Sequence, residues 1–93
     1  MAWTINYADS AKKQLRKLDK AVARRIVDFM DERIASSDDP RRLGKAMKGP
    51  LGDLWCYRVG DFRILCDLQD GMLTVLVLQI GNRREVYRRH HFF

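Results

Sequence analysis

The sequence predicts an α+β domain with the element order β-α-α-β-β-β, in which an antiparallel sheet packs against an N-terminal helical hairpin. Three observations support this class. The chain has 93 residues, the size of a single domain. Apolar residues recur at helical spacing between positions 11 and 34, and after position 53 they form short runs divided by tight-turn sequences. We therefore expect residues 1–93 to form one domain with helices and strands in separate layers.

The first strand and the two helices follow from the N-terminal third. Residues 3–7 alternate large apolar and polar side chains, which predicts a half-buried strand. A basic amphipathic helix follows, with Asp9 or Ser10 as its N-cap and with apolar positions at Ala11, Leu15 and Leu18. Asp19 is the expected cap of the second helix. The buried stripe of that helix is Val22, Ile26, Phe29, Met30 and Ile34.

The second half of the chain begins with a predicted loop and a hairpin. Glycine and proline within residues 41–53 break any long element, so this stretch is expected to be a basic loop, either without regular structure or with one helical turn. Residues 54–59 and 62–68 are rich in aromatic and β-branched side chains, as strands are. Gly60 and Asp61 between them suit a type II′ turn, which needs glycine at its first central position.

A second tight turn and a last strand follow. Asp70 and Gly71 suit a type I′ turn. Residues 72–80 are almost wholly apolar, which predicts an interior strand covered on both faces.

The hairpin register places two arginines side by side. If Gly60 and Asp61 are the central turn residues, Arg58 lies directly opposite Arg63, and like charges in this position repel. A phosphate bridging the two guanidinium groups would compensate them, since each offers a planar fork of donors. Two alternatives stay open at this point. A carboxylate such as Asp67 neutralises the pair, or both side chains extend into water.

The same register separates the two cysteines. Cys56 shares the face of Arg58 and Arg63, whereas Cys66 points into the predicted core. Their Cβ atoms therefore lie too far apart for a disulfide, and two reduced thiols fit the cytoplasm. We expect Cys66 to be a small core residue.

Charge and missing motifs narrow the function. Eighteen Lys and Arg residues against twelve Asp and Glu give a net charge of +6, which favours a polyanionic partner such as nucleic acid, or else forms only a solubilising coat. No apolar run reaches membrane-spanning length and no secretory signal is seen, so we expect a cytoplasmic chain without membrane contact. The sequence shows no metal-ligand spacing, no phosphate-binding glycine loop and no Ser-His-acid set, and we expect no cofactor.

Three segments carry a resemblance to a known family. They are Met-Lys-Gly-Pro-Leu at residues 47–51, Arg-Val-Gly-Asp-Phe-Arg at 58–63, and Gly-Asn-Arg-Arg-Glu-Val-Tyr-Arg at 81–88. Together with the basic helical hairpin, they resemble the RelE/ParE superfamily of bacterial toxins, and its RelE branch in particular. The likeness covers nearly the whole chain. The second and third segments, about twenty residues apart, are its most specific part.

This resemblance implies a toxin of a type II toxin-antitoxin system that inhibits translation and arrests growth. RelE-like toxins are messenger RNA interferases: they enter the ribosome and cut mRNA without a metal, through attack of a 2′-hydroxyl on the adjacent phosphate to give a cyclic phosphate. The implied partners are a RelB-like antitoxin, the ribosome and mRNA. Operator DNA would be bound only through the toxin-antitoxin complex.

The resemblance also implies site residues. Arg58, Arg63 and Arg83 match the cationic catalytic positions of the family, and Tyr87 matches its functional tyrosine. Arginine is always protonated, so the three arginines would clamp the phosphate and stabilise its transition-state charge. The side chains expected to contact the RNA backbone are Lys45, Lys48, Arg84 and Arg88.

Two positions depart from the family pattern. Cys56 stands where many relatives have a basic residue, and Asn82 stands where many have a histidine. The general base is then open: a thiol of lowered pKa at Cys56, the terminal pair His90 and His91, or Tyr87. Two other functions stay open as well, a ParE-like toxin that inhibits DNA gyrase and a basic RNA-binding module without a catalytic step.

Overall fold

A computed structural model describes residues 3–49 and 52–82, which form two helices on one face of a five-stranded sheet. The strands follow the order β1-β5-β4-β3-β2 across the sheet. The helices are α1 (Asp9–Lys17) and α2 (Lys20–Phe29), and α2 continues as a π-helical turn over Met30–Ile34. The strands are β1 (Thr4–Tyr7), β2 (Lys45–Gly49), β3 (Gly52–Val59), β4 (Phe62–Gln69) and β5 (Thr74–Asn82).

The predicted fold class is confirmed, and two of its details differ. The sheet is mixed, because β1 pairs with β5 in parallel while the other pairs are antiparallel. The predicted loop at residues 41–53 contains a fifth strand, β2, which pairs with β3 from Lys45 opposite Cys56 to Gly49 opposite Gly52. Its glycine content argued against a strand, but hydrogen bonding to a neighbouring strand overrides that local preference.

Helix α1 begins without the predicted side-chain cap. Ala8 is its N-cap residue and makes no side-chain cap hydrogen bond. Ser10 instead donates its hydroxyl to the carbonyl of Leu78, at 2.7 Å, and Gln14 accepts a hydrogen bond from the amide of Ile80, at 2.6 Å. The pairing of β1 with β5 ends at Val77. Beyond Val77, where β1 no longer pairs with β5, polar side chains of α1 therefore take over as hydrogen-bond partners of the β5 backbone.

Helix α2 follows its prediction. Asp19 caps it by accepting a hydrogen bond from the amide of Ala21, at 3.1 Å. Its stripe joins the core, where Ile26, Met30 and Ile34 are fully buried. They pack with residues of the sheet face that includes Tyr57, Ile64 and Cys66. No helix in residues 3–49 and 52–82 is long and apolar enough to cross a membrane.

The two predicted turns have different outcomes. Gly60 has φ +59° while Asp61 stays at negative φ, as the predicted type II′ turn requires. The predicted type I′ turn at Asp70-Gly71 is wrong. The β4–β5 loop is a 3₁₀ turn over Asp70–Met72 followed by Leu73 in the left-handed region, with φ 46°. The carboxylate of Asp70 binds Arg41, which fixes this longer loop.

Replacing Tyr7 by phenylalanine is expected to leave the free energy of unfolding unchanged or to raise it by up to about 1 kcal/mol. The Tyr7 hydroxyl is buried and has no hydrogen-bond partner among the described residues, so its removal relieves a desolvation cost. Chemical denaturation measures this change. If the free energy of unfolding of Tyr7→Phe falls by more than about 1 kcal/mol, the Tyr7 hydroxyl makes a stabilising hydrogen bond and this prediction is wrong.

The same variant has an expected pH dependence. Burial, followed by the charges of Asp31 and Cys66, raises the pKa of Tyr7 to about 12. Because the unfolded chain loses this proton near pH 10 and the folded chain keeps it to about pH 12, ionisation favours the unfolded state, and the stability of the wild type falls as pH rises from 10 to 12. Tyr7→Phe should therefore show a shallower decline of stability over this range than the wild type.

Candidate active site

An open cleft lies on the sheet face opposite the helices. It has a volume of about 360 Å³ and is built from β2, β3, β4 and the residues just before β2. Its lining residues are Leu43, Gly44, Lys45, Met47, Cys56, Arg58 and Arg63. Side chains alternate between the faces of a strand, and Tyr57 and Ile64 are in the core beneath the helices. Their neighbours Cys56, Arg58 and Arg63 therefore face the cleft.

The predicted arginine pair is confirmed. Arg58 and Arg63 are directly opposite each other in the β3–β4 hairpin, and Cβ atoms of such a pair lie about 5 Å apart. Arg58 is exposed and Arg63 is half-buried. Within residues 3–49 and 52–82, neither side chain makes a hydrogen bond or an ion pair. Two permanent positive charges thus stand side by side with their donors free.

The carboxylate alternative for this pair is not realised in the described part of the chain. Asp67 lies on the same strand as Arg63, yet its contact is with the side-chain amide of Gln69, at 3.5 Å. The ion pairs formed by the described residues involve Arg41 instead, which binds Asp70 with both guanidinium nitrogens, at 2.9 and 2.6 Å. The cleft arginines are therefore available to an external anion.

Strand β2 brings one predicted RNA-contacting residue to the cleft. Lys45 is the register partner of Cys56, and its exposed side chain lines the cavity. Lys48 lies on the same strand. Four predicted site residues lie outside the described residues: Arg83, Arg84, Tyr87 and Arg88.

Cys56 lines the cleft but is only 6% exposed. Burial raises the pKa of its thiol, and the opposing effects of Arg63 and Lys45 are smaller. The direction is opposite to the one that a thiolate base requires. Cys66 is fully buried in the core, as predicted, and both thiols are free.

Replacing Cys56 by alanine is expected to leave the activity at this cleft within about threefold of the wild type. A neutral thiol takes no proton at neutral pH, so its loss removes packing and not chemistry. The activity of the purified variant measures this, with the melting temperature as the check on folding. A loss of 100-fold or more in a folded Cys56→Ala variant would identify the thiol as a participant.

The cleft wall before β2 was missed by sequence reasoning. A Cβ added to Gly44 would lie 2.7 Å from Cε1 of Tyr57 and 3.2 Å from the Cys56 carbonyl oxygen. The Tyr57 hydroxyl donates to the carbonyl of Pro40, at 2.8 Å. The guanidinium of Arg41 stacks over Trp55, 5.8 Å from the ring centre. These contacts fix the segment that carries Leu43 and Gly44, and no local motif signals them.

Comparison with known proteins identifies the family. The model of the family described as ParE toxin of the type II toxin-antitoxin system parDE matches residues 5–87. The chain belongs to the RelE/ParE superfamily of type II toxin-antitoxin toxins. The resemblance expected from the sequence is thus confirmed.

Two relatives come from Mycobacterium tuberculosis. The toxin is 29% identical to Toxin RelG over 89 residues, which are 96% of this chain and 100% of that protein. It is 30% identical to Toxin RelE over 79 residues, 85% of this chain and 79% of the relative. Both relatives carry names of the RelE branch.

Solved structures share the fold. The toxin superposes on a chain of the RelBE2 toxin-antitoxin complex of M. tuberculosis with a TM-score of 0.80 and 25% identity, covering 89% of this chain and 93% of that one. For isolated E. coli RelE the TM-score is 0.70, with 23% identity, 95% of this chain and 94% of that chain. The second likeness concerns the fold alone.

Proposed function

We propose that this toxin is a ribosome-dependent endoribonuclease that cuts mRNA in the cytoplasm and so inhibits translation and arrests growth. The observation that carries the proposal is the facing pair Arg58 and Arg63, which stands in an open cleft without a carboxylate partner among the described residues. Like charges held this way are destabilising, which favours a role in binding an anion. The relatives of the RelE branch support the same reaction class.

The proposed chemistry is an internal transfer at one phosphodiester. The 2′-oxygen forms a bond to phosphorus, the bond from phosphorus to the 5′-oxygen breaks, and a proton moves from the 2′-oxygen towards the 5′-oxygen. The products are a 2′,3′-cyclic phosphate and a free 5′-hydroxyl. Negative charge grows on the phosphoryl oxygens, and Arg58 and Arg63 would stabilise it with charged hydrogen bonds.

Residues beyond β5 would complete the site. Arg83 follows Asn82 in the sequence, and Asn82 is the register partner of Phe62, next to Arg63. We propose that Arg83 is the third phosphate clamp and that Tyr87 orients the nucleotide or joins the proton transfer. Burial raises the pKa of the Cys56 thiol, which argues against Cys56 as the general base. The remaining candidates for the base are then Tyr87 and the pair His90 and His91. The proposed contacts to the RNA backbone are Lys45, Lys48, Arg84 and Arg88.

A purified translation system tests this function. We expect the toxin to produce cuts within ribosome-bound message that end in a cyclic phosphate, and no cuts in the same RNA without ribosomes. Intact message would overturn the proposal. Since the matching family model is that of ParE, gyrase inhibition is the second candidate, and intact message together with relaxed, unsupercoiled DNA would select it.

The second part of the proposal is a RelB-like antitoxin that neutralises the toxin. Solved complexes of related toxins from M. tuberculosis and Pyrococcus horikoshii pair RelE-type and RelB-type chains. The proposed docking surface is an apolar groove of about 390 Å³ between α1 and α2, here named the helix groove, which is lined by Leu15, Lys20, Ala23, Arg24, Val27 and Asp28. Basic side chains on both helices fit an amphipathic, acidic antitoxin helix. Operator DNA would be bound by the complex through its antitoxin.

Charge reversal tests the helix groove. We expect Lys20→Glu combined with Arg24→Glu to weaken antitoxin binding at least 10-fold, because both cations lie at the groove and neither forms an ion pair within the described residues. Titration calorimetry of the purified pair measures the affinity. Arg33→Glu, an exposed charge reversal in the π-helical turn, is the control, and it matches each of the single variants Lys20→Glu and Arg24→Glu in charge. Equal affinities for the two variants would exclude this groove as the docking surface.

A further inference from the structure

The tip of the β3–β4 hairpin is covered by a guanidinium group from the helix layer. Gly60 is the first central residue of this turn, and the Arg25 nitrogens Nη2 and Nη1 lie 3.7 and 3.9 Å from the position that a Cβ on Gly60 would take. Arg25 belongs to α2 and is exposed. A cation of one layer is thus held against a turn of the other layer, next to the arginine pair of the cleft.

Arg25 has no carboxylate partner in residues 3–49 and 52–82. Asp28 lies three positions further along α2, and Asp61 is the second central residue of the turn. Neither is within the 4.0 Å that an ion pair requires. Stabilising the turn does not account for a guanidinium in this place, because Gly60 offers it no side chain and the turn conformation follows from glycine at positive φ.

The position of Arg25 extends the charge of the cleft around the hairpin tip. Gly60 is two residues beyond Arg58, which corresponds to about 7 Å along a strand. Lys45, the pair Arg58 and Arg63, and then Arg25 form a succession of cations from β2 to α2. Within the described residues, none of these four cations forms an ion pair with a carboxylate, so their positive charge is not neutralised. Such a succession fits a polyanion that is longer than one phosphodiester.

We infer that Arg25 forms a second phosphate-binding site at the hairpin tip, and that a single RNA strand held in the cleft passes over this tip onto α2. The inference rests on the proposed function for the identity of the polyanion as RNA. It adds a site on the opposite side of the turn from the cleft. The role of Arg25 is to bind a phosphate next to the one that reacts, so its loss should change RNA binding and leave the chemical step intact.

Equilibrium binding of an RNA that cannot be cut tests the site. The probe is a fluorescent 12-nucleotide single strand with 2′-O-methyl groups throughout, and the 93-residue toxin is titrated into it at several salt concentrations. We expect Arg25→Gln to weaken binding about 3- to 10-fold at low salt and to reduce the salt slope by about 0.7, the value for one phosphate contact to a single strand. Arg25→Lys, which keeps the charge, should restore most of the slope. Arg33→Gln, with the same charge loss elsewhere on the helix layer, should change neither quantity.

The outcomes separate this inference from the proposed function. Equal behaviour of Arg25→Gln and Arg33→Gln would overturn the tip site, and so would a loss in Arg25→Gln that Arg25→Lys fails to restore. Melting temperatures of the three variants show whether any loss reflects unfolding, which would also count against the site. If the double variant Arg58→Gln, Arg63→Gln binds like wild type while Arg25→Gln is weakened, the cleft proposal fails and the tip site stands. Absence of cleavage with the expected binding results would overturn the nuclease alone.

Discussion

Replacing Arg58 and Arg63 together by glutamine is expected to lower the rate of message cleavage in a purified translation system by about 10³-fold or more. Removal of one preorganised donor to a transition-state charge costs about 10²- to 10³-fold. Here both donors face the same cleft and have no carboxylate partner among the described residues. Because the two act on one phosphate, the loss in the double variant should be smaller than the product of the two single losses.

Chemical denaturation of the double variant shows whether a loss of cleavage reflects lost catalysis or a protein that no longer folds. The pair repels, so the double variant should unfold at the same denaturant concentration as wild type or at a slightly higher one, corresponding to a few tenths of a kcal/mol. Arg33→Gln, which removes one charge as each single arginine variant does, is the control and should cut at the wild-type rate, since Arg33 is an exposed residue of the helix layer. A double variant that still cuts message within about tenfold of wild type would remove the arginine pair from the mechanism.

Replacing Gly44 by alanine is expected to reduce the free energy of unfolding by about 2 to 3 kcal/mol. The new methyl group would lie 2.7 and 3.1 Å from two ring carbons of Tyr57 and 3.2 Å from the Cys56 carbonyl oxygen. Tyr57 is fully buried and is held at its hydroxyl by Pro40, so the ring cannot move aside freely. Overpacking of this kind costs about 1 to 3 kcal/mol.

Gly71→Ala provides the matched control for this prediction. Gly71 has open space where its Cβ would be added and a negative φ, so alanine fits without strain. Its unfolding free energy should stay the same or rise by up to about 1 kcal/mol, because alanine restricts the unfolded chain. Urea denaturation of both variants measures the difference. Similar stabilities for the two would show that the segment before β2 relaxes away from Tyr57.

Local patterns predicted the parts of the fold that depend on neighbouring residues. The cap at Asp19 and the turn at Gly60 follow from single residues with strong conformational preferences, and the structure confirms both. The two-residue length of that turn is sufficient to place Arg58 opposite Arg63, as the structure has it. Local conformational preferences are therefore enough to predict the facing arginine pair of the candidate site.

The remaining features depend on contacts between distant residues. Strand β2 exists because β3 lies beside it, and Ser10 bonds to Leu78 instead of capping its own helix. The close approach of Gly44 to Tyr57 and the bridge from Arg41 to Asp70 likewise join residues that are far apart in the chain. No periodicity or propensity encodes such pairings, since each depends on the completed sheet. The position of Arg25 over the hairpin tip belongs to the same class.

The parallel pairing of β1 with β5 bears on how the toxin is made. Thr4 is the register partner of Thr74, and β5 also pairs with β4, the strand that carries Arg63. Contacts between such remote parts of a chain form late, because the loop between them must first be closed. A polypeptide emerging during synthesis therefore cannot finish its sheet until Asn82 has been released from the ribosome. Until then β4 lacks one of its two neighbouring strands, and the sheet that carries the cleft is incomplete.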